Sequence, residues 1–160
     1  MDAAETAKAV TLEVEALFSY RLAALADVQI IGEVPEGARA NFINGDDVDV
    51  RGERVRGRML PWGGDWLMVR RDGVAILDVR NVIETVEGAR ILYTYSGIAD
   101  LGPDGFARFL AGDAPPAQLR GAPRMSTGHP DFLWLNRRQC VVSGEIRPGE
   151  PSELTVLALL

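Results

Sequence analysis

Along most of this chain apolar and polar residues alternate with period two, the pattern of strands that bury one face. From Leu12 the even positions read Leu12, Val14, Ala16, Phe18, Tyr20 and Leu22. Val28-Gln29-Ile30-Ile31 predicts a short strand, Pro35-Glu36-Gly37 a turn, and Asn41 to Ile43 a pairing segment. Asn44-Gly45-Asp46-Asp47 is a strong turn signal, because these residues tolerate left-handed backbone and bond their own main chain. A strand is predicted over 54–60, stopped by Pro61-Trp62-Gly63-Gly64. Residues 65–70 and 74–86 predict a hairpin about Arg71-Asp72-Gly73, and Glu87-Gly88 turns the chain into a strand over 89–98. Only 103–112 reads as helix, with Phe106, Phe109 and Leu110 on one face and Gly112 as the stop. Residues 113–131, rich in Pro, Gly and Ala, read as a long ordered loop; 132–144 and 154–160 read as closing strands. The pattern therefore predicts about eight to ten antiparallel strands and one short helix near 104–111. A sheet that long curls or closes on itself.

A chain of 160 residues is long enough for one sizeable core. The expectation is a single β-barrel domain over 1–160, with 1–10 as a flexible N-terminal extension. Acidic residues outnumber basic ones 23 to 17, for a net charge of −6, which argues against a nucleic-acid partner. The densest basic cluster, Arg51, Arg54, Arg56 and Arg58, is interleaved with Asp46, Asp47, Asp49 and Glu53 and reads as a solvated strand and loop. No apolar run reaches the ~20 residues of a membrane helix. The start, MDAAETAKAV, lacks the basic-then-apolar order of a secretory signal. The expected compartment is the cytoplasm, with no membrane partner.

Cys140 is the only cysteine and His129 the only histidine, too few for a usual transition-metal site. No phosphate-binding glycine loop, dinucleotide fingerprint or nucleophile elbow is present. Neither a metal nor a cofactor is expected.

The stretch 74–83 poses a sharper question. Val74, Ile76, Asp78, Arg80 and Val82 share one face of a strand; Ala75, Leu77, Val79, Asn81 and Ile83 share the other. An Asp and an Arg side by side neutralise one another, and a barrel of about eight strands has room for one small ligand. On this reading Asp78 and Arg80 point inward as the polar floor of a pocket. Leu77, Val79 and Ile83 then face outward, under the helix or another subunit. The alternative is a structural pair that fixes strand register. Asp65 follows a Gly-Gly turn and is expected at the barrel rim. There it acts as a general base if burial raises its pKa, or caps neighbouring backbone N–H groups. Trp134 and Asn136 share a strand face with Phe132 and Arg138, an apolar wall beside an amide. Tyr93 either donates a hydrogen bond or a proton to a ligand, or packs between strands.

The segments RVRGRMLPWGGDWLMVRRDGVAILDVR, EGARILYTYSGI and FLWLNRRQCVVSGEI together resemble the domain of unknown function 3237 family, also called uncharacterised protein family 0311. The family pattern of Gly-Gly-Asp-Trp, Asp-Gly, Asp-Ala-Arg, Asp-Gly-Ala and Trp-Leu-Asn is similar to five runs here. They are Gly63-Gly64-Asp65-Trp66, Asp72-Gly73, Asp78-Val79-Arg80, Glu87-Gly88-Ala89 and Trp134-Leu135-Asn136, and the likeness runs from about Leu12 to the C-terminus. Asn81 stands where the family often has an aromatic residue. The family's Tyr-rich segment before an arginine reads Ala117-Gln118-Leu119-Arg120 here, which makes Arg120 a further ligand-binding candidate. The resemblance implies a closed or nearly closed antiparallel β-barrel of lipocalin-like appearance and names no reaction.

Two functions follow. The first is a small-molecule-binding barrel whose ligand is a small organic acid or an aromatic compound, with Tyr93, Trp134, Asn136 and Arg120 as binding residues. The second is a cofactor-free enzyme of the isomerase, dehydratase, cyclase or lyase kind. In it Arg80 holds a carboxylate, enolate or phenolate while Asp65 or Asp78 moves a proton. Either is compatible with a homo-oligomer.

Overall fold

The computed structural model describes residues 9–23 and 28–160; the extension expected over 1–10 falls largely outside them. The strands in chain order are β1 Val14–Leu22, β2 Val28–Val34, β3 Gly37–Ile43, β4 Val48–Arg51, β5 Gly57–Met59 and β6 Gly64–Val69. They continue as β7 Val74–Thr85, β8 Arg90–Asp100, β9 Ala117–Gly121, β10 Arg124–Ser126, β11 Cys140–Ile146 and β12 Ser152–Leu159. Every described pairing is antiparallel. Strands β8, β9, β11, β12, β1, β4, β5 and β7 form a closed ring of eight, completed by the long β7–β8 ladder. Among the described residues no helix is long and apolar enough to cross a membrane.

The extra segments β2, β3 and β6 are not a separate sheet. Tyr20 pairs with Val50 and Val28 with Phe42, so equal lengths of chain separate the two pairs on each side. The same holds for Val48 opposite Met59 and Phe42 opposite Asp65. Thus β3 with β4, and β5 with β6, are each two halves of one long strand, interrupted at the same height. Along β7 the register jumps between Ile83 opposite Met59 and Arg80 opposite Gly64, so 60–63 bulge from the wall. The aligned interruptions at 44–47 and 60–63 form a seam in the barrel.

The β6–β7 hairpin forms where the turn signal stood: Gly73 adopts φ +85°, and its N–H donates to the Arg70 carbonyl at 3.0 Å. The helix α1, Gly105–Leu110, follows as expected and packs beside β3 and β6, burying Phe109. Beyond it the expectation needs correction. Residues 113–131 contain β9 and β10, and 130–137 form a 3-10 helix instead of a strand. Pro130 starts that helix and Asp131 N–H donates to His129 Nδ1, while Phe132 and Leu135, three apart, are buried together. Period two is also broken within β1, where a bulge between Ala16 and Phe18 lets Leu17 and Phe18 both be buried and leaves Val14 exposed.

The faces of β7 are the reverse of those expected. Ala75, Leu77, Val79, Asn81, Ile83 and Thr85 are buried in the lumen; Asp78 and Arg80 lie outside. An eight-strand lumen is filled by side chains, so the apolar face goes inward and the charged pair remains hydrated.

If the 3-10 helix is part of the core, Leu135→Ala should cost about 3 kcal/mol. Leu133→Ala, at a half-exposed side chain of the same helix, should cost less than about 0.5 kcal/mol. Urea midpoints of the two variants test this; equal losses would detach the helix from the core.

Candidate functional site

The barrel interior is largely apolar and holds a cluster of buried aromatic side chains. Tyr20 of β1 and Tyr93 and Tyr95 of β8 are all buried, with Phe18 beside them. Tyr20 Oη lies 3.4 Å from Tyr93 Oη and 3.5 Å from Tyr95 Oη, at the outer limit of hydrogen bonding. Their rings meet edge to face, with centroids 6.0 Å apart for Tyr20 and Tyr93 and 5.6 Å for Tyr93 and Tyr95. Burial holds all three hydroxyls well above the usual tyrosine range, so they remain protonated donors and acceptors.

Asp65 faces the same space. It pairs with Phe42 on one side and Val79 on the other, and Val79 pairs in turn with Tyr95. Backbone pairing of β6 with β7 lapses between Asp65–Val79 and Met68–Ile76. In that gap Asp65 Oδ1 accepts the Asp78 N–H at 2.9 Å, standing in for a ladder carbonyl. Burial pushes the Asp65 carboxyl up to about 7; the Asp78 N–H pulls it down and the Asp78 charge pushes it up further. An ionised Asp65 would in turn raise Tyr20 and Tyr95, which places the carboxyl within electrostatic reach of both. Asp65 thus caps a backbone N–H, one of its two expected roles, and burial brings its pKa near neutral.

Access comes at the seam. Inward-facing Leu22, Val28, Phe42, Val48 and Asp65 are only partly buried, whereas their inward neighbours Tyr20, Val50 and Met59 on one side and Ala40, Leu67 and Leu77 on the other are buried. Asn44 ties the interruptions together. Its N–H donates to the Gly63 carbonyl at 2.8 Å, its carbonyl accepts the Trp62 N–H at 3.0 Å, and its Nδ2 donates to Asn81 Oδ1 at 2.9 Å. A Cβ at Gly63 would lie 2.1 Å from Asn81 Oδ1, so this crossing requires glycine. Trp62 beside it has φ +78°, the only positive φ among the described non-glycine residues, and is 84% exposed. Left-handed backbone at a bulky residue costs of order 1–3 kcal/mol, and here it accompanies a large ring held in solvent on the outer lip of the seam.

The remaining candidates lie elsewhere. Asp78 and Arg80 pair with each other on the outer wall at 3.1 Å. Arg120 is exposed on β9. The Arg54 guanidinium stacks 3.8 Å above the Trp134 ring and also pairs with Glu15 at 3.2 Å, which fastens the 3-10 helix to the β4–β5 loop. Asn136 Oδ1 accepts the Thr127 N–H at 2.8 Å and its Nδ2 donates to the Thr127 carbonyl at 2.9 Å, imitating a strand partner for that residue. Of the seven candidates, only Asp65 and Tyr93 face the lumen. Tyr95 was legible as Tyr93's neighbour on the same strand face; Tyr20, Phe42 and Asn44 were legible as strand and turn residues and carried no local signal of a site. Among the described residues no group of three or more His, Cys, Asp or Glu side chains is placed to hold a metal ion.

The family model described as "Protein of unknown function (DUF3237)" matches residues 12–159. The UPF0311 protein RPA1785 of Rhodopseudomonas palustris (strain ATCC BAA-98 / CGA009) is 32% identical over 131 residues, 78% of this chain and 82% of that one. Its crystal structure superposes with a TM-score of 0.77 at 28% identity, covering 95% of this chain and all (100%) of that one. A beta-barrel like protein (ABAYE2633) from Acinetobacter baumannii AYE gives 0.76 at 24% identity, covering 96% of this chain and 99% of that one. An enzyme from Penicillium herquei gives 0.65 at 17% identity, covering 98% and 100%. The last two likenesses concern the fold alone.

Neutral Asp65 is the form the fold prefers. Its contribution to stability is therefore fully present below its ordinary value near 3.8 and lost as pH rises through about 7. At about 1.4 kcal/mol per pKa unit, ionising it in place costs at most about 4 kcal/mol. Asp65→Asn keeps the acceptor for the Asp78 N–H and removes the charge. The variant's advantage over the wild type should widen by about 3 kcal/mol between pH 5 and pH 8, seen as several further degrees of melting temperature. Melting curves with the same offset at both pH values would show that Asp65 titrates as an ordinary carboxylate.

Proposed function

The chain belongs to the DUF3237 family, and from the carboxyl group sheltered inside its barrel we propose that the interior binds a small, largely apolar organic molecule entering at the seam. The observation that carries this reading is the position of Asp65. Its carboxyl faces an apolar lumen beside tyrosine hydroxyls, is partly accessible, and is bordered by Phe42, Val28, Leu22 and Val48. A few convergent polar groups in an apolar recess are the usual composition of a small-molecule site. The ligand is an aromatic or hydroxylated compound in preference to an organic acid. No arginine of the earlier candidate set faces this space, since Arg80 and Arg120 are on the outside. A ligand hydroxyl would instead meet Asp65 and the hydroxyls of Tyr20 and Tyr95.

The carboxyl near 7 favours a second reading, cofactor-free acid–base catalysis in the same recess. A group that titrates near the working pH both accepts and returns a proton, as isomerisation, dehydration, cyclisation and lyase chemistry require. The Penicillium herquei protein is described as an enzyme, which supports this reading by fold analogy only.

A thermal-shift screen of phenols and hydroxylated aromatic compounds, followed by calorimetry of the hits near pH 6 and pH 8, tests the proposal. Wild-type affinity should differ between the two pH values, which bracket about 7, and Asp65→Asn should make it flat. Phe42→Ala should weaken binding about tenfold, the loss expected for ~1.4 kcal/mol of apolar contact. Arg120→Ala should leave it unchanged. Hits that respond to Arg120→Ala and ignore both interior variants would move the site to the outer wall.

A further inference from the structure

We propose that the outer face of β7 and β8 receives a second copy of this chain, paired about a two-fold axis. Across these strands Ile76 lies opposite Ile98, Asp78 opposite Ser96, Arg80 opposite Thr94, and Val82 opposite Leu92. All eight point away from the lumen. Leu92 and Ile98 are 48% and 51% exposed, so two apolar rows flank a polar centre on the surface.

The order of the rows is its own complement when reversed. Consider an axis in the plane of contact, perpendicular to the strands and midway between the Asp78 and Arg80 rows. It sets Asp78 against Arg80 of the second copy, Ser96 against Thr94, Ile76 against Val82, and Ile98 against Leu92. One row further out, Asp100 meets Arg90 of the second copy. Arg124, beside Thr94 on β10, then faces the neighbourhood of Ala122 and meets no like charge. This is the reciprocity that an isologous interface demands.

The same arrangement gives the Asp78–Arg80 pair a purpose. Within one chain the two side chains are 49% and 66% exposed at 3.1 Å, and such a pair contributes little. Against an inverted copy it becomes a cycle of four alternating charges, shielded by apolar rows on both sides. It also selects the register. Moving the axis onto either row would set Asp78 against Asp78 or Arg80 against Arg80, and like charges in contact are strongly disfavoured. An open depression of about 600 Å³, lined by Asp78, Arg80, Leu92, Thr94, Ser96 and Arg124 among others, gives facing side chains room to interdigitate. This surface lies on the opposite side of the wall from Asp65, and the assignment does not depend on what the lumen binds.

Light scattering on a size-exclusion column and sedimentation equilibrium of the full chain test the proposal. The wild type should be a dimer at micromolar concentration. Asp78→Arg alone and Arg80→Asp alone should each weaken the dimer about a hundredfold or more and elute as monomers with unchanged circular dichroism. The double variant carrying Asp78→Arg with Arg80→Asp exchanges the charges and should restore the dimer. A monomeric wild type, a dimer indifferent to the single reversals, or a double variant that stays monomeric would each overturn the assignment.

Discussion

An eight-strand ring encloses a space that side chains must fill, and water has little place in it. That constraint decides the face of every strand. On β7 it draws Leu77, Val79 and Ile83 inward and leaves Asp78 and Arg80 in solvent. On β12 it buries Ser152, Leu154, Val156 and Ala158 and leaves their neighbours partly outside. Where one residue too many enters a strand, as at Leu17 in β1, the chain bulges so that the residues beyond it regain the inward side.

Polar groups caught inside must find partners within the wall or with one another. Among the described residues no fully buried side-chain nitrogen or oxygen lacks one. The three tyrosines approach through their hydroxyls, Asn81 is held by Asn44, and Asp65 takes a backbone N–H where the ladder fails. The last contact is unlike the others because the group is ionisable. Its backbone partner lowers the pKa, but burial outweighs that and leaves the carboxyl near 7. An acid held this way is stable in the neutral form and responsive around physiological pH, a combination that a packed apolar core has no structural need for.

The seam and the site have one cause. Two neighbouring strands break at the same height, so the wall there is held by the Asn44 cross-links in place of a continuous ladder. The same breaks expose the inward faces of Phe42, Val28 and Asp65, and they hold Trp62 in left-handed backbone. Strain, an accessible carboxyl and an interrupted wall thus coincide.

Period-two alternation and turn chemistry determined by themselves that this chain is an antiparallel barrel with a helix after β8. Strand faces and turns such as Arg71-Asp72-Gly73 are local properties, set by neighbours one or two residues away. Resemblance along the chain also pointed to the DUF3237 family. Alternation says which residues share a face and not which face is inside. The Asp78–Arg80 side was read as the pocket, and only closure of the ring reversed it. Of the strand read over 132–144, the part from Cys140 onward is strand; the first part failed because two apolar residues three apart can serve a strand or a 3-10 helix, and packing against β10 chose the helix. Asp65 was legible as a carboxyl after a Gly-Gly turn. Its meeting with Tyr20, Phe42 and Tyr95 was not, because those contacts join positions far apart in the chain, and only the register of the closed sheet brings them to one place.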